Sequence, residues 1–172
     1  MLAIRSEEKA DHARVFEIQT AAFERSNEAN LVEVLRASAE PYVSLVAEDD
    51  GRILGHIFFS PVEIESSGEP PGSAGLAPVA VDPAHQGLGI GGALIRAGLE
   101  RCRELGWQAV FLIGNPVYYS RFGFALASPM GFSYGSPALD SVLQGYELSP
   151  GVLDGHGGRG RFHPAFAETG CG

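Results

Sequence analysis

The run HQGLGIGGALI, residues 85 to 95, follows the apolar stretch LAPVAV (76 to 81) and opens IGGALIRAGLERCRELG, whose apolar residues recur at helical spacing up to Gly106. A second apolar run, WQAVFLIGN, comes directly after it. Strand, helix and strand of these lengths predict a βαβ unit, two parallel strands joined by a right-handed crossover. Its connection is rich in glycine at the point where the helix begins. Glycine lets main-chain N–H groups approach an anion with no Cβ in the way, so this turn predicts a phosphate-bearing ligand.

The segments before this unit predict antiparallel strands. LAIRS (2 to 6) alternates as a short strand, and a first helix is expected from Ser6 through EEKADHARVFEIQTAAF, with Val15, Ile18 and Ala22 on one face. SNEANLVEVLRAS repeats that pattern with Leu31, Val34 and Leu35. YVSLVAED and RILGHIFFSPVEI flank Asp50-Gly51, a dipeptide suited to the positive φ angles of a tight hairpin turn. ESSGEPPGSAG is a loop by composition. The fold class expected is therefore α/β with a mixed sheet, antiparallel at first and parallel in the middle. Further on, NPVYYSRFGF reads as a short helix with Asn115 as its cap and Pro116 at its first position, and residues 140 to 148 as a possible strand. The glycine-rich end from Gly151 carries no periodicity.

A length of 172 residues predicts one domain over 1–172 with a core of its own. A net charge of −9, with Lys9 as the single lysine, argues against a nucleic-acid partner. No apolar run is long enough to span a membrane, and the first residues lack a basic leader, so a cytoplasmic protein is expected. Acidic residues are concentrated in residues 1 to 65, 13 of the 21, either as a solvated face or as a field that attracts a cationic small molecule. Cys102 and Cys171 are too far apart in sequence to suggest a disulfide framework. His156, His163 and Asp154 are too loosely spaced for a metal motif, and no metal is expected.

Gly87, Gly89 and Gly92 satisfy G-x-G-x-x-G, yet the dinucleotide fold needs an acidic residue about 20 positions later, where this chain has AVFLIGN. No Gly-Lys-Ser/Thr follows the glycines either, which excludes a nucleotide P-loop. Gln86, Gly89 and Gly91 instead match Gln or Arg, two residues, Gly, one residue, Gly or Ala. This stretch, with VAVDPAHQG before it and YYSRFGF after it, resembles the acyl-CoA site of the GNAT superfamily of N-acetyltransferases over residues 76 to 126. The resemblance implies the GNAT fold, acetyl-CoA as co-substrate and acetyl transfer to an amine. It implies that the main chain of Val79, Ala80 and Val81 holds the pantetheine arm, lying in a gap where two parallel strands part. Gln86, Gly87, Leu88, Gly89, Ile90, Gly91 and Gly92 would hold the pyrophosphate. Asn115 is either a further cofactor contact or a plain helix cap.

Acetyl transfer needs a neutral amine, donors for the tetrahedral oxyanion and a proton for the departing thiolate. Tyr119 stands where the resemblance places the proton donor; its other reading is a core aromatic stacked with Phe122 and Phe124. Tyr118, one helix position away, is expected to point elsewhere, and Arg121 to lie on the surface. Glu28, His56, Glu63 and Glu65 are candidates for a base, and water is another. The acceptor expected is a small-molecule amine rather than a protein, with a homodimer through a C-terminal edge strand as a possible assembly. A non-catalytic acyl-CoA-binding module is the alternative function.

Overall fold

A computed structural model describes all 172 residues. The chain begins with β1 (Ala3–Ser6), a turn of 3-10 helix at Lys9–Asp11, α1 (His12–Phe23) and α2 (Asn27–Ser38). Three antiparallel strands follow: β2 (Val43–Asp49), β3 (Arg52–Glu65) and β4 (Ser73–Val81). Next come α3 (Ile90–Glu104), β5 (Ala109–Ile113), the short α4 (Pro116–Tyr119) and two-residue strands β6 (Ala125–Leu126) and β7 (Phe132–Ser133). β8 (Leu143–Glu147), β9 (Gly158–Arg161) and α5 (Ala165–Glu168) complete the chain. No helix is long and apolar enough to cross a membrane.

The main sheet has the order β1-β2-β3-β4-β5-β8-β6, and β4 and β5 are its parallel neighbours. The expected mixed sheet with a central βαβ unit is thus present. Asp50 and Gly51 both take positive φ, 49° and 73°, and close the predicted hairpin. The apolar stripe of α3 packs on one face, with Leu94 and Ile95 fully buried against β2, β3 and β4. Burial of each such side chain contributes about 1.5–3 kcal/mol, more than helix propensity supplies in this glycine-bearing segment. α1 and α2 cover the other face through Val15, Ile18, Leu31 and Leu35, joined there by Phe166 of α5.

Several expectations shift in detail. Ser6 ends β1 and caps no helix, because Arg5 binds the Asp11 carboxylate (2.7 and 3.0 Å) and Asp11 in turn accepts the Glu8 N–H (2.8 Å). These bonds hold a 3-10 turn, and α1 starts only at His12. β4 begins at Ser73, earlier than the apolar run, since Ala74 and Gly75 carry no hydrophobic signal yet pair with both neighbouring strands. The C-terminal tail is also structured: β9 pairs with the far end of β3 and with β7, and α5 packs on α2.

Candidate acyl-CoA cleft

The site begins where two strands separate. β4 pairs with β5 only at Ser73, Ala74 and Gly75, opposite Ala109, Val110 and Phe111. Beyond Gly75, β4 keeps β3 on one side, with Val79, Ala80 and Val81 opposite Ile57, His56 and Gly55. An extra residue in β4 shifts the β3–β4 register between Ile57 and Phe59, and such bulges bend the strand that carries them. The β4 edge facing β5 is left without a partner strand over these residues, a setting in which an extended ligand can bond to main chain.

The connection after β4 is pinned at both ends. Asp82 accepts from the Ala84 N–H (3.1 Å) and from Arg14 of α1 (2.6 Å), and these bonds hold its carboxyl below the usual range. The Gln86 amide donates to the Val81 carbonyl (3.2 Å), folding the loop back onto the strand end. Gly87 and Gly89 take φ of 78° and 84°, a region that L side chains rarely adopt. Gly89 is the cap residue of α3 and supplies no side-chain acceptor, so the N–H groups of the first turn remain free to bind an anion.

A cleft of about 560 Å³ opens between these parts. Of the residues assigned to the cofactor from sequence, all but Leu88 and Asn115 line it. Leu88 points to solvent, 69% exposed. Asn115 is exposed too, and its Oδ1 accepts the Val117 N–H (2.9 Å) as the cap of α4. The far wall holds residues that sequence spacing did not single out: Ala22 and Phe23 at the end of α1, His85, and Arg96 on α3.

Tyr118, expected to point elsewhere, borders the cleft, and Tyr119 makes the aromatic contact with Phe124 that is one of its two readings. Tyr118 lines the cleft, and a Cβ added to Gly91 would stand 3.0 Å from its hydroxyl. Tyr119 lies behind it, edge-on to Tyr118 (ring centroids 5.0 Å apart) and to Phe124 (6.0 Å), half-buried and outside the cleft lining. Burial, and secondarily Tyr118, push its phenol up to about 12. Arg121, expected on the surface, is exposed but borders the cleft.

None of the four candidate bases lines the cleft. His56 is fully buried between Gln19 Nε2 (2.9 Å from Nδ1) and Ser44 Oγ (2.8 Å from Nε2), and burial lowers its imidazole to about 4. Ser44 donates its hydroxyl hydrogen bond to Glu7 Oε2 (2.5 Å), so the arrangement suits a neutral ring with its proton on Nε2. Glu28 is buried beneath Arg25 (2.8 Å); burial pushes its carboxyl up, but the bonds from Arg25 and Cys171 outweigh this and hold it low. Glu63 and Glu65 are exposed and face Arg161 of β9 (3.8 and 2.8 Å). No group of three His, Cys, Asp or Glu side chains is placed to hold a metal ion; His163 Nδ1 instead accepts the Ala165 N–H (3.1 Å).

Known proteins resemble this chain over most of its length. The family model described as an acetyltransferase (GNAT) domain matches residues 3–127. The uncharacterized N-acetyltransferase YhbS of Escherichia coli (strain K12) is 36% identical over 166 residues, covering 96% of this chain and 98% of that protein. The crystal structure of E. coli YhbS in complex with CoA superposes with a TM-score of 0.89 at 35% identity, covering 96% of this chain and 92% of that one. A GNAT family acetyltransferase from Brucella melitensis, crystallised with acetyl-CoA, gives a TM-score of 0.78 at 38% identity over 96% of this chain and 98% of that one. Family model, full-length relatives and fold agree, and this chain belongs to the GNAT acetyltransferase family.

Proposed function

We propose that the chain transfers an acetyl group from acetyl-CoA to the primary amine of a small molecule, by direct attack within a ternary complex. The observation that carries this reading is the cleft, which joins the unpaired edge of β4 to the free N–H groups at the start of α3. The glycine turn would hold the pyrophosphate, and Val79, Ala80 and Val81 would bond the pantetheine arm as an added strand does. Two relatives of the same fold were crystallised with CoA and with acetyl-CoA, which supports a cofactor of this class.

In the reaction the amine nitrogen attacks the thioester carbonyl, and the oxygen takes up negative charge. A main-chain N–H of residues 79–81 would stabilise it; Pro78 has none to offer. Collapse of the intermediate breaks the C–S bond and leaves a thiolate, for which Tyr119, outside the lining but in ring contact with Tyr118 that borders it, would be the proton donor that the family resemblance implies. Its raised value keeps that phenol protonated throughout the neutral range. None of Glu28, His56, Glu63 and Glu65 lines the cleft, which leaves water as the remaining candidate base. The acidic residues concentrated in 1–65 favour a cationic acceptor.

Thiol release from acetyl-CoA over a panel of amines tests this function. Turnover is expected with at least one small cationic amine, and Tyr119→Phe is expected to lower kcat about 100-fold or more with CoA affinity intact. CoA binding without turnover on any amine would favour a non-catalytic acyl-CoA-binding module. An unchanged kcat in Tyr119→Phe would remove that residue from the mechanism.

A further inference from the structure

β4 and β5 part immediately beyond Gly75, the last residue of β4 to pair with β5. On either side of it, Ala74 and Leu76 pack with Leu94 on the α3 face. Alternation along a strand turns Gly75 to the opposite face, that of α1, α2 and α5. The ring of Phe162 covers it there: a Cβ on Gly75 would stand 2.6 Å from Phe162 Cε1 and 2.7 Å from Cδ1. Only glycine lets the ring lie this close to the root of the gap.

Phe162 is half-buried and braced from two directions. It directly follows β9, which pairs with β3 from Glu63 to Glu65, and its ring stacks on Phe166 of α5 (centroids 5.1 Å apart) and meets Tyr134 edge-on (4.9 Å). Opposite Gly75 on β3 stands Ser60, which direct cross-strand pairing puts on the same face. Its hydroxyl is fully buried and has no hydrogen-bond partner, an unmet acceptor for an ammonium or a water entering at this point.

The acyl-CoA reading above, on which this inference rests, lays the pantetheine arm along Val79 to Val81 with the pyrophosphate at the start of α3. Gly75 lies three residues beyond Pro78, roughly 10 Å at about 3.3 Å per residue, in the direction in which the thioester end of the arm continues. The arm enters from the α3 face, so an attacking amine has the other face of the gap left to it. Phe162 stands at that opening. We infer that Phe162 is a specificity-determining residue: it walls the acceptor side of the strand gap, keeps water from the thioester and admits a primary amine on a slender, unbranched chain. Water attacking the carbonyl in place of the amine breaks the same C–S bond and gives acetate and the free thiol of CoA, so removal of the wall has a readout that needs no acceptor.

Thiol release from acetyl-CoA, measured without amine and then with ethylamine and with benzylamine, tests the wall alongside calorimetric titration of CoA. Phe162→Ala is expected to raise amine-free release, and kcat/KM for benzylamine relative to ethylamine, each by about tenfold or more, with CoA affinity within about twofold of the unaltered protein. Phe162→Leu is expected to show smaller rises in both and decides the matter if the alanine variant does not fold. Phe166→Leu trims the neighbouring ring but leaves the one over Gly75, and is expected to change neither quantity more than about twofold. Unchanged amine-free release, or an unchanged preference between the two amines, in Phe162 variants that still bind CoA overturns the wall alone, as does an equal rise in Phe166→Leu. Failure of the unaltered protein to bind CoA overturns the acyl-CoA reading and the wall together.

Discussion

The Tyr119 ring lies directly over Gly114, so close that a Cβ at Gly114 would stand 2.6 Å from Tyr119 Cε2. Gly114 directly follows β5, with its N–H on the Val142 carbonyl (3.1 Å) and its own carbonyl accepting from Gln144 (3.0 Å), so its backbone has little freedom to withdraw. A methyl group there must displace the ring. Gly114→Ala is expected to lower kcat by an order of magnitude or more while CoA affinity stays within about twofold, since Tyr119 is outside the cleft lining. A variant with full kcat would show that Tyr119 is not held in a catalytic position by Gly114.

The Tyr119 phenol titrates at about 12 against an ordinary value of 10, chiefly because burial disfavours the phenolate. Between these values the folded chain holds a proton that the unfolded chain has released. The contribution to stability is therefore complete below pH 10 and lost as pH rises toward 12. Absorbance titration of tyrosinate should show one late-titrating tyrosine that is missing from Tyr119→Phe. Ionisation of all tyrosines near pH 10 would refute this.

His56 works in the opposite pH direction. Burial lowers its folded value to about 4, so below about 6.5 the unfolded chain binds a proton that the folded chain refuses. Stability is present above that pH and falls as the pH drops toward 4, by about 3 kcal/mol over the whole window. Urea unfolding at several values between pH 7.5 and 5 should show a steeper decline for the unaltered protein than for His56→Gln. Identical slopes would mean that another group controls acid sensitivity. Asp11 and Glu28, held below their ordinary values mainly against the pull of burial by Arg5 and Arg25, act only at lower pH.

Gly98 in the middle of α3 faces the Phe59 ring, and a Cβ there would stand 2.2 Å from it. Alanine improves helix propensity by about 1 kcal/mol, but overpacking against a fully buried ring costs about 1–3 kcal/mol. The steric term wins at so short a distance. Gly98→Ala is expected to lower the melting temperature, and Phe59→Leu in the same chain to recover part of the loss. A melting temperature unchanged or raised in Gly98→Ala would contradict the close contact.

Asn115 allows its two readings to be separated. Its side chain caps α4, so Asn115→Ala is expected to cost about 1 kcal/mol of stability, Asn115→Asp much less, and neither to change CoA affinity more than about twofold. A loss of affinity without a loss of stability would place Asn115 on the cofactor instead.

How much was legible follows the range of the interactions involved. The glycine turn, the βαβ unit, the Asp50-Gly51 hairpin and the cap at Asn115 are local: each depends on φ preference, side-chain period or a bond between near neighbours, and each can be read from consecutive residues. The amino-acid order alone thus determined the family, the mixed sheet and most of the cleft lining. Which of two adjacent tyrosines faces the cleft was not legible, because Tyr118 is set by Gly91 of α3 and Tyr119 by Gly114, just after β5, and by Phe124. Nor was the burial of His56 between α1 and β2, or the meeting of Arg96 and Arg121 at Phe122. These side chains are separated by up to 37 residues along the chain and meet only through tertiary packing, so their roles depend on how sheet and helices close around them rather than on any spacing in the sequence.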